Sequence, residues 1–320
     1  MVPRSMFRRF VDSFSPLPVS VVALLALTVA PPLAAQSAGE GAEIRPVGDV
    51  EKVHGGFAFT EGPAWDPRGH LYFTDIPNET IFRLGGGDAL TKFSEASLHA
   101  NGLMVTADGR LLACEMDGQV VAYNLNTGAR TVLAAMYRGK RFNAPNDLVN
   151  DAAGGVYFTD PLFRAPEPLP QGIQAVYYVD AGGHVTRLTD DLPAPNGVGL
   201  SPDGKQLYVI PSRQAEMLVY DVARPGRIAN GRTLCRLEQP DGQTASGGDG
   251  MAVDVKGNLY ITSNLGIQIF SPAGQPRGIV AFPEQPANVT FGGPDRRMMY
   301  VTARTGLYRV KMPIAGLPPN

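Results

Sequence analysis

The sequence is built on an internal repeat, in which an oxygen-bearing side chain starts the same short pattern six times. These anchor residues are Glu61, Asn101, Asn146, Asn196, Asp249 and Asn288. A glycine stands eight residues after each of the first five anchors, and a tyrosine stands eleven or twelve residues after most of them. The steps between anchors are 40, 45, 50, 53 and 39 residues, which is the range of propeller blades and solenoid turns.

One copy shows the local structure of the repeat. After Asn196 a short apolar stretch meets the turn Asp203-Gly204 and resumes as a strand-forming run through Tyr208, which is a hairpin signal. The other copies turn at the corresponding place, and most of them continue into further strands. Each copy is therefore predicted to form three or four antiparallel strands.

The repeat predicts an all-β fold, a six-bladed β-propeller with a central channel. The 37 glycines and 28 prolines are turn formers, and no sustained helical period follows the N-terminus. The first strand of each blade lies against the channel, so all six anchors are expected to crowd one end of it. Residues 45–59 are expected to supply the outer strand of the last blade and close the ring. The alternative, a solenoid, would not bring the first and sixth anchors together.

The N-terminus has the composition of a secretory signal. Its positive charges are Arg4, Arg8 and Arg9, its apolar core is residues 19–30, and Leu33-Ala34-Ala35 is a cleavage site of small residues. A core of twelve residues is too short to span a bilayer, which takes about 20, so an uncleaved anchor is the weaker alternative. We therefore expect residues 1–35 to be a signal peptide, and the protein to be secreted into the periplasm.

Residues 36–320 are expected to form one propeller domain. Loss of three Arg and one Asp with the signal changes the formal net charge from −2 to about −4. Because there is no basic patch, we expect no nucleic-acid partner, and after signal cleavage we expect no membrane attachment. Cys114 and Cys235 fall in different copies, so two unpaired thiols are favoured over a disulfide across blades, which secretion would permit. The oligomeric state stays open.

The anchors offer an all-oxygen set of ligands, without His or Cys. The four that carry this interpretation are Glu61, Asn146, Asn196 and Asp249. Such a set suits one hard divalent cation, Ca²⁺ first, with Mg²⁺, Mn²⁺ or Zn²⁺ as alternatives. Burying two carboxylates in a narrow channel without a cation would be costly. The alternative is that these residues only cap strand ends, and it is favoured for Asn101 and Asn288.

The motifs around the anchors resemble those of a known family. They are Glu61-Gly62-Pro63-Ala64-Trp65, Pro145-Asn146-Asp147-Leu148, Pro195-Asn196-Gly197-Val198 and Asp249-Gly250-Met251-Ala252-Val253-Asp254. In order and spacing they are similar to the motifs of the gluconolactonase, regucalcin (senescence marker protein) and luciferin-regenerating enzyme family, over nearly the whole mature chain. The resemblance implies a six-bladed propeller with one catalytic divalent cation in its channel.

The resemblance also implies roles for particular residues. Glu61, Asn196 and Asp249 match the family's cation ligands, and Asn146 matches a residue that contacts the cation or the substrate. The family's Arg-x-Asn approach to that position is altered here to Arg141-Phe142-Asn143. Arg141 and Asn143 are therefore candidates for substrate contact.

Two further candidates come from the residues near the second anchor. Asn101 belongs to the ring of anchors, and His99 stands two residues before it, where it could assist proton transfer at the channel mouth. Residues 161–174 contain four prolines and exceed hairpin length. They either roof the site and set its specificity or form a long surface connection.

Together these observations predict a metal-dependent hydrolase of a small-molecule sugar lactone, such as an aldonolactone. A channel cation would polarise the lactone carbonyl and stabilise the oxyanion, and Asp249 would act as the general base. Because a cation lowers the pKa of a carboxylate that binds it, this role requires the second oxygen of Asp249 to be free. The alternatives are hydrolysis of another ester or a phosphotriester on the same cation, and a non-catalytic propeller that binds a peptide or sugar.

Overall fold

The structure, a computed structural model, describes residues 42–320. In chain order its strands are β1 (Glu51–Gly55), β2 (Thr60–Asp66), β3 (His70–Asp75), β4 (Thr80–Leu84), β5 (Leu90–Ser94), β6 (Ala100–Val105), β7 (Arg110–Glu115), β8 (Gln119–Asn124), β9 (Arg130–Ala134), β10 (Met136–Tyr137), β11 (Lys140–Arg141), β12 (Leu148–Asn150), β13 (Val156–Asp160), β14 (Ala175–Val179), β15 (Val185–Thr189), β16 (Pro195–Leu200), β17 (Gln206–Pro211), β18 (Glu216–Arg224), β19 (Arg227–Arg236), β20 (Met251–Val253), β21 (Leu259–Ser263), β22 (Gly266–Phe270), β23 (Pro276–Val280), β24 (Pro286–Gly292), β25 (Met298–Ala303) and β26 (Gly306–Lys311). The helices of this part of the chain are two 3₁₀ turns, Ile76–Asn78 and Gly86–Asp88. No helix within it is long and apolar enough to cross a membrane. The predicted signal peptide lies outside the described residues.

The strands form six antiparallel sheets of four strands each. Five of these blades use consecutive strands: β2 to β5, β6 to β9, β12 to β15, β16 to β19 and β20 to β23. The two-stranded hairpin of β10 and β11 stands between the second and third blades. This arrangement confirms the predicted all-β, six-bladed propeller.

The sixth blade is closed by the N-terminal strand. Its order is β24, β25, β26 and then β1, so the outermost strand comes from the start of the domain. Glu51 in β1 pairs with Arg309 in β26, and the Arg309 guanidinium also holds the Glu51 carboxylate at 2.9 Å. Residues 45–59 therefore close the ring as predicted.

The buried core lies mainly between neighbouring blades. Tyr72 of the first blade packs in one cluster with Leu103 and Val121 of the second. Tyr157 of the third blade packs with Val209 of the fourth. The tyrosine that recurs in the sequence repeat is thus a large side chain that fills the space between two sheets, and burying one contributes about 1.5–3 kcal/mol.

The two cysteines belong to different inter-blade clusters. Cys114 packs between the second and third blades, and Cys235 packs between the fourth and fifth. Both are buried free thiols. This agrees with the favoured interpretation of two unpaired thiols.

The inner strands change register where the anchors stand. The pairing with the second strand of the blade shifts between Glu61 and Ala64 in the first blade, and between Ala100 and Leu103 in the second. A similar shift separates Pro195 from Val198 in the fourth blade. Such irregularities bend a strand and re-aim its side chains, and here they occur where the anchors face the channel.

Candidate active site in the central channel

A cavity of about 680 Å³ opens at one end of the channel. Five of the six anchors line it, namely Glu61, Asn101, Asn146, Asn196 and Asp249. Glu61 and the three asparagines are each no more than 5% exposed, and Asp249 is partly exposed. The four predicted cation ligands therefore face one shared space.

The sixth anchor departs from the expectation that all six would crowd one end. Asn288 lines a second cavity, of about 320 Å³, at the opposite end of the channel. Its Oδ1 accepts the N–H of Val289 at 2.8 Å, which turns the side chain along its own strand. The expectation was wrong for this residue as part of the first cavity's wall, although its amide still opposes the rise that burial causes in the pKa of Glu61 and of Asp147.

A glycine directly after the anchor brings neighbouring inner strands close together. It is present after four anchors, as Gly62, Gly102, Gly197 and Gly250. A Cβ on Gly62, whose φ is +48°, would lie 2.1 Å from the carbonyl oxygen of Asn101. A Cβ on Gly197 would lie 2.4 Å from the carbonyl oxygen of Asp249, and the Gly197 N–H donates to that oxygen at 2.9 Å. The anchors of adjacent blades are thus held together through backbone contacts that leave no room for a side chain.

The two carboxylates of the cavity are both costly to ionise, and the charge of Asp249 adds to the cost at Glu61. Burial raises the pKa of Asp249 to about 7, while a hydrogen bond from Asn196 and the charge of Arg304 act in the opposite direction. Burial also raises the pKa of Glu61 well above its usual range, and the charge of Asp249 raises it further. A positive charge between the two carboxylates would relieve both costs.

The amide of Asn196 has a defined orientation. The Ser212 hydroxyl donates to the carbonyl oxygen of Gly248 at 2.8 Å, so its oxygen can only accept, and Asn196 Nδ2 donates to it at 3.0 Å. Because Nδ2 is engaged by Ser212, Oδ1 of Asn196 is the atom left to bind a ligand in the cavity.

The other two asparagines also offer oxygen atoms. The backbone of Asn146 is fixed by its N–H bond to Thr159 at 2.9 Å and by the Gly102 N–H, which donates to its carbonyl at 2.8 Å. Asn101 Oδ1 is buried without a hydrogen-bond partner among the described residues. A buried polar atom without a partner calls for an explanation such as a bound ion or water.

These residues fit a hard cation. Two carboxylates balance a dication, and amide oxygens complete the kind of ligand set that Ca²⁺ or Mg²⁺ prefers. Within residues 42–320, no cluster of three or more His, Cys, Asp or Glu side chains is arranged to hold a metal ion. A mixed set of carboxylates and amides is therefore the arrangement that this channel offers.

A third carboxylate lies at the opposite end of the channel. Asp147 lines the opposite cavity, and its Oδ1 accepts the Leu148 N–H at 2.9 Å. Burial raises its pKa to about 7, and the charge of Asp249 adds to the shift. Sequence reasoning assigned it no role, although it stands in the same motif as Asn146.

Three predicted substrate contacts do not line the cavity. Asn143 is fully buried, and its Nδ2 donates to the carbonyl oxygens of Asp160 and Ile173 at 3.2 and 2.9 Å. Arg141 is exposed and donates to the carbonyl oxygen of Phe142 at 3.0 Å. His99 pairs through Nδ1 with Asp117 at 3.1 Å. Asn143 thus holds neighbouring backbone in place. Of the substrate candidates, Asn101 and Asn146 are the ones that line the cavity.

The long connection of residues 161–174 reaches the cavity. Phe163 and Arg164 line its wall. The connection is held from below by Asn143, whose Oδ1 accepts the Gln171 N–H at 3.0 Å. Two interpretations of this segment were left open, a roof of the site and a long surface connection. The structure supports the first, since the segment forms part of the cavity wall. Arg304, on the opposite side of the ring, also lines the cavity and was missed because it stands in a hairpin turn outside the repeated pattern.

Comparison with known proteins agrees with this geometry. The sequence profile of the SMP-30/Gluconolactonase/LRE-like region matches residues 59–305. The chain belongs to this family. Among its relatives in the family is the gluconolactonase of Zymomonas mobilis subsp. mobilis, 30% identical over 288 residues, with 82% of this chain and 81% of that protein covered.

Solved structures of family members share the fold. A gluconolactonase from Xanthomonas campestris is 27% identical with a TM-score of 0.76, covering 86% of this chain and 95% of the other. A calcium-binding protein, regucalcin, from Agrobacterium tumefaciens str. C58 is 20% identical with a TM-score of 0.70, covering 87% and 97%. The second likeness concerns the fold alone.

Proposed function

We propose that this protein is a lactonase that opens a small sugar lactone, such as an aldonolactone, with the help of one divalent cation. The observation that carries the proposal is the convergence of Glu61, Asn146, Asn196 and Asp249 on one cavity in a member of the gluconolactonase family. The gluconolactonases of similar sequence support the reaction class.

The cation would be held by Glu61, Asn196 and Asp249, with Asn146 beside them. The all-oxygen donors favour calcium, and a regucalcin of the same fold is described as calcium-binding. When bound, a divalent cation supplies Lewis-acid polarisation of a carbonyl and stabilises negative charge on its oxygen.

Asp249 is proposed to take the proton of the attacking water. Asp249 is the more exposed of the two acidic residues, since Glu61 is only 2% exposed and its Oε2 accepts the Gly62 N–H at 2.7 Å. One oxygen of Glu61 is thus held by its own backbone, whereas no backbone N–H of the described residues donates to the Asp249 carboxylate, which lines the cavity. The hydrogen bond from Asn196 keeps Asp249 oriented during this step.

Other residues of the wall would hold the substrate. Phe59, Ile76 and Phe163 supply apolar surface, against which the carbon face of a sugar ring can pack. Asn101 offers to a sugar hydroxyl an oxygen that has no hydrogen-bond partner in the described part of the chain. A cavity of about 680 Å³ is within the size range of small-molecule sites.

A panel of lactones followed with a pH indicator tests this proposal. Purified protein should release acid from aldonolactones, should lose this activity after treatment with a chelator, and should regain it with excess calcium. Parallel assays with an aryl ester and a phosphotriester test the other hydrolase reactions. Absence of lactone hydrolysis by the calcium-supplemented protein would overturn the proposal.

A further inference from the structure

The cavity carries a charge pattern that a neutral sugar lactone does not require. Of the described residues that line it, the charged ones are Glu61, Asp249, Arg164 and Arg304. Both arginines are exposed at the mouth, and neither forms an ion pair with another described residue. The charge of Arg304 already acts on Asp249, and a dication bound between the two carboxylates would leave both guanidinium groups available to another anion.

Arg304 is held in place by neutral groups. Its Nη2 donates to Gln285 Oε1, and its guanidinium lies 5.4 Å from the centroid of the Phe59 ring. Gln285 Nε2 in turn donates to Asn264 Oδ1, and Asn264 Nδ2 donates to Ser246 Oγ at 2.7 Å.

In this series of hydrogen bonds each side chain donates to the next one, and none of them donates to Arg304. Gln285 Oε1 and Asn264 Oδ1 each accept a hydrogen bond within this series. The other N–H groups of Arg304 have no acceptor among the described residues. A planar guanidinium fixed in this way matches the two oxygens of a carboxylate or phosphate.

The backbone at both arginines is unusual. Arg304 is the first residue of the two-residue loop between β25 and β26, with Ala303 paired to Gly306, and its φ is +45°. Glycine is preferred at this position of a two-residue hairpin loop, because the position requires a positive φ. Arg164 also has a left-handed φ, of +57°. Ten described non-glycine residues have a positive φ, and these two are the ones that line the cavity; strained backbone is often found at functional sites.

We propose that Arg304, with Arg164 lining the same cavity, forms a subsite for an anionic substituent, so that the preferred substrate is a lactone carrying a carboxylate or phosphate group away from the reacting carbonyl. This inference rests on the proposed lactonase function and specifies its substrate class. The guanidinium groups bind the substituent while the anchors below face the lactone ring.

The first test compares three lactones of similar size: glucono-δ-lactone, which is neutral, 6-phosphogluconolactone and glucarolactone. The calcium-loaded enzyme should show a kcat/KM at least about tenfold higher for one of the anionic substrates, because a hydrogen bond to a charged group contributes about that much. Arg304→Gln should bring the ratio of kcat/KM for the anionic lactone to kcat/KM for the neutral lactone close to 1, mainly through a higher KM for the anionic lactone. The ratio is the readout because loss of the Arg304 charge near Asp249 acts on both substrates alike. The two anionic arms distinguish phosphate from carboxylate.

Two further variants test whether the effect comes from misfolding or from the loss of any surface arginine. Arg304→Gly removes the guanidinium and suits the left-handed φ, so it should fold at least as well as the wild type and still lose the preference. Arg213→Gln removes an exposed arginine in the corresponding hairpin of the fourth blade, outside the cavity lining, and should change nothing.

A binding measurement separates this inference from the lactonase proposal. Calorimetry with calcium-loaded protein should show tighter binding of glucose 6-phosphate or glucuronate than of glucose, and Arg304→Gln should abolish the difference. If no lactone is hydrolysed but this difference is present, the lactonase proposal fails and the anion subsite stands. If glucono-δ-lactone is hydrolysed and Arg304→Gln treats charged and neutral compounds as the wild type does, the anion subsite is refuted while the lactonase proposal stands.

Discussion

Asn196 Nδ2 lies 3.0 Å from Ser212 Oγ, and the Ser212 hydroxyl is itself 2.8 Å from the carbonyl oxygen of Gly248. The serine therefore turns the amide so that Asn196 Oδ1 is available to the cavity. Ser212 is a positioning residue, since it acts on the proposed cation through Asn196. Such supporting partners typically contribute 10- to 100-fold to metal affinity.

Ser212→Ala should weaken calcium binding by about tenfold or more, because the Asn196 amide loses the acceptor that orients it. Ser212→Thr keeps the hydroxyl and should bind calcium nearly as the wild type does. Calorimetric titration of chelator-treated protein with calcium measures both. Equal affinities for the wild type and Ser212→Ala would show that the amide is oriented without the serine.

Much of this arrangement could be predicted from the sequence, because a propeller repeats local structure. Each anchor precedes a hairpin whose turn and strand are specified within about fifteen residues, so the blades and five cavity-lining anchors followed from spacing. Asn288 was misplaced because the spacing of the repeat does not specify which end of the channel a side chain lines. Arg304 and Ser212 carried no signal, since their partners lie far away in the chain or outside the repeated pattern. Asn143 matched a substrate motif, yet its amide is used to hold residues 161–174.

Removal of a charged ligand should reduce metal content and activity together. Glu61→Ala deletes one of the two carboxylates proposed to balance the dication, which leaves Asp249 to do so alone. Elemental analysis after dialysis should give well below one equivalent of calcium, with a parallel loss of lactone hydrolysis. A full equivalent of tightly bound calcium in this variant would remove Glu61 from the ligand set.

The stability of the metal-free protein should depend on pH with a defined sign. Burial raises the pKa of Asp249 and of Asp147 to about 7 and that of Glu61 above its usual range, whereas unfolded carboxyls titrate near 4. The native state then binds more protons than the unfolded state, so the free energy of unfolding falls as pH rises through about 7. The loss is on the order of 1 kcal/mol or more for each group.

Thermal melting in the presence of a chelator, from about pH 5 to about pH 8, measures this dependence. Excess calcium should reverse the loss at the higher pH, because the ionised carboxylates then gain a counter-charge. Asp249→Asn should make the profile of the metal-free protein shallower, with Glu61 and Asp147 left to titrate. A metal-free protein that becomes more stable between these pH values would contradict the raised pKa values.

The contact between neighbouring anchors should not tolerate a methyl group. Gly197→Ala would place a Cβ 2.4 Å from the carbonyl oxygen of Asp249, and relief of such a clash by backbone shifts typically costs 1–3 kcal/mol. We expect a lower melting temperature and weaker calcium binding, because Asp249 must move. Gly86→Ala is the matched control, since a Cβ there meets open space. Similar calcium affinity in both variants would show that the position of Asp249 does not depend on this contact.

The roles of ligand and base can be separated at Asp249. Asp249→Asn keeps an oxygen that can bind a hard cation but cannot accept a proton, so lactone hydrolysis should fall at least about a hundredfold while much of the calcium binding remains. Asn196→Asp adds a negative charge, and it should bind calcium at least as tightly yet turn over more slowly, because the cation becomes a weaker Lewis acid. His99→Ala should change turnover little, since His99 lies outside the cavity lining and pairs with Asp117. Should Asp249→Asn remain active while His99→Ala is inactive, with calcium occupancy unchanged in both, the proton would be transferred by the histidine and not by Asp249.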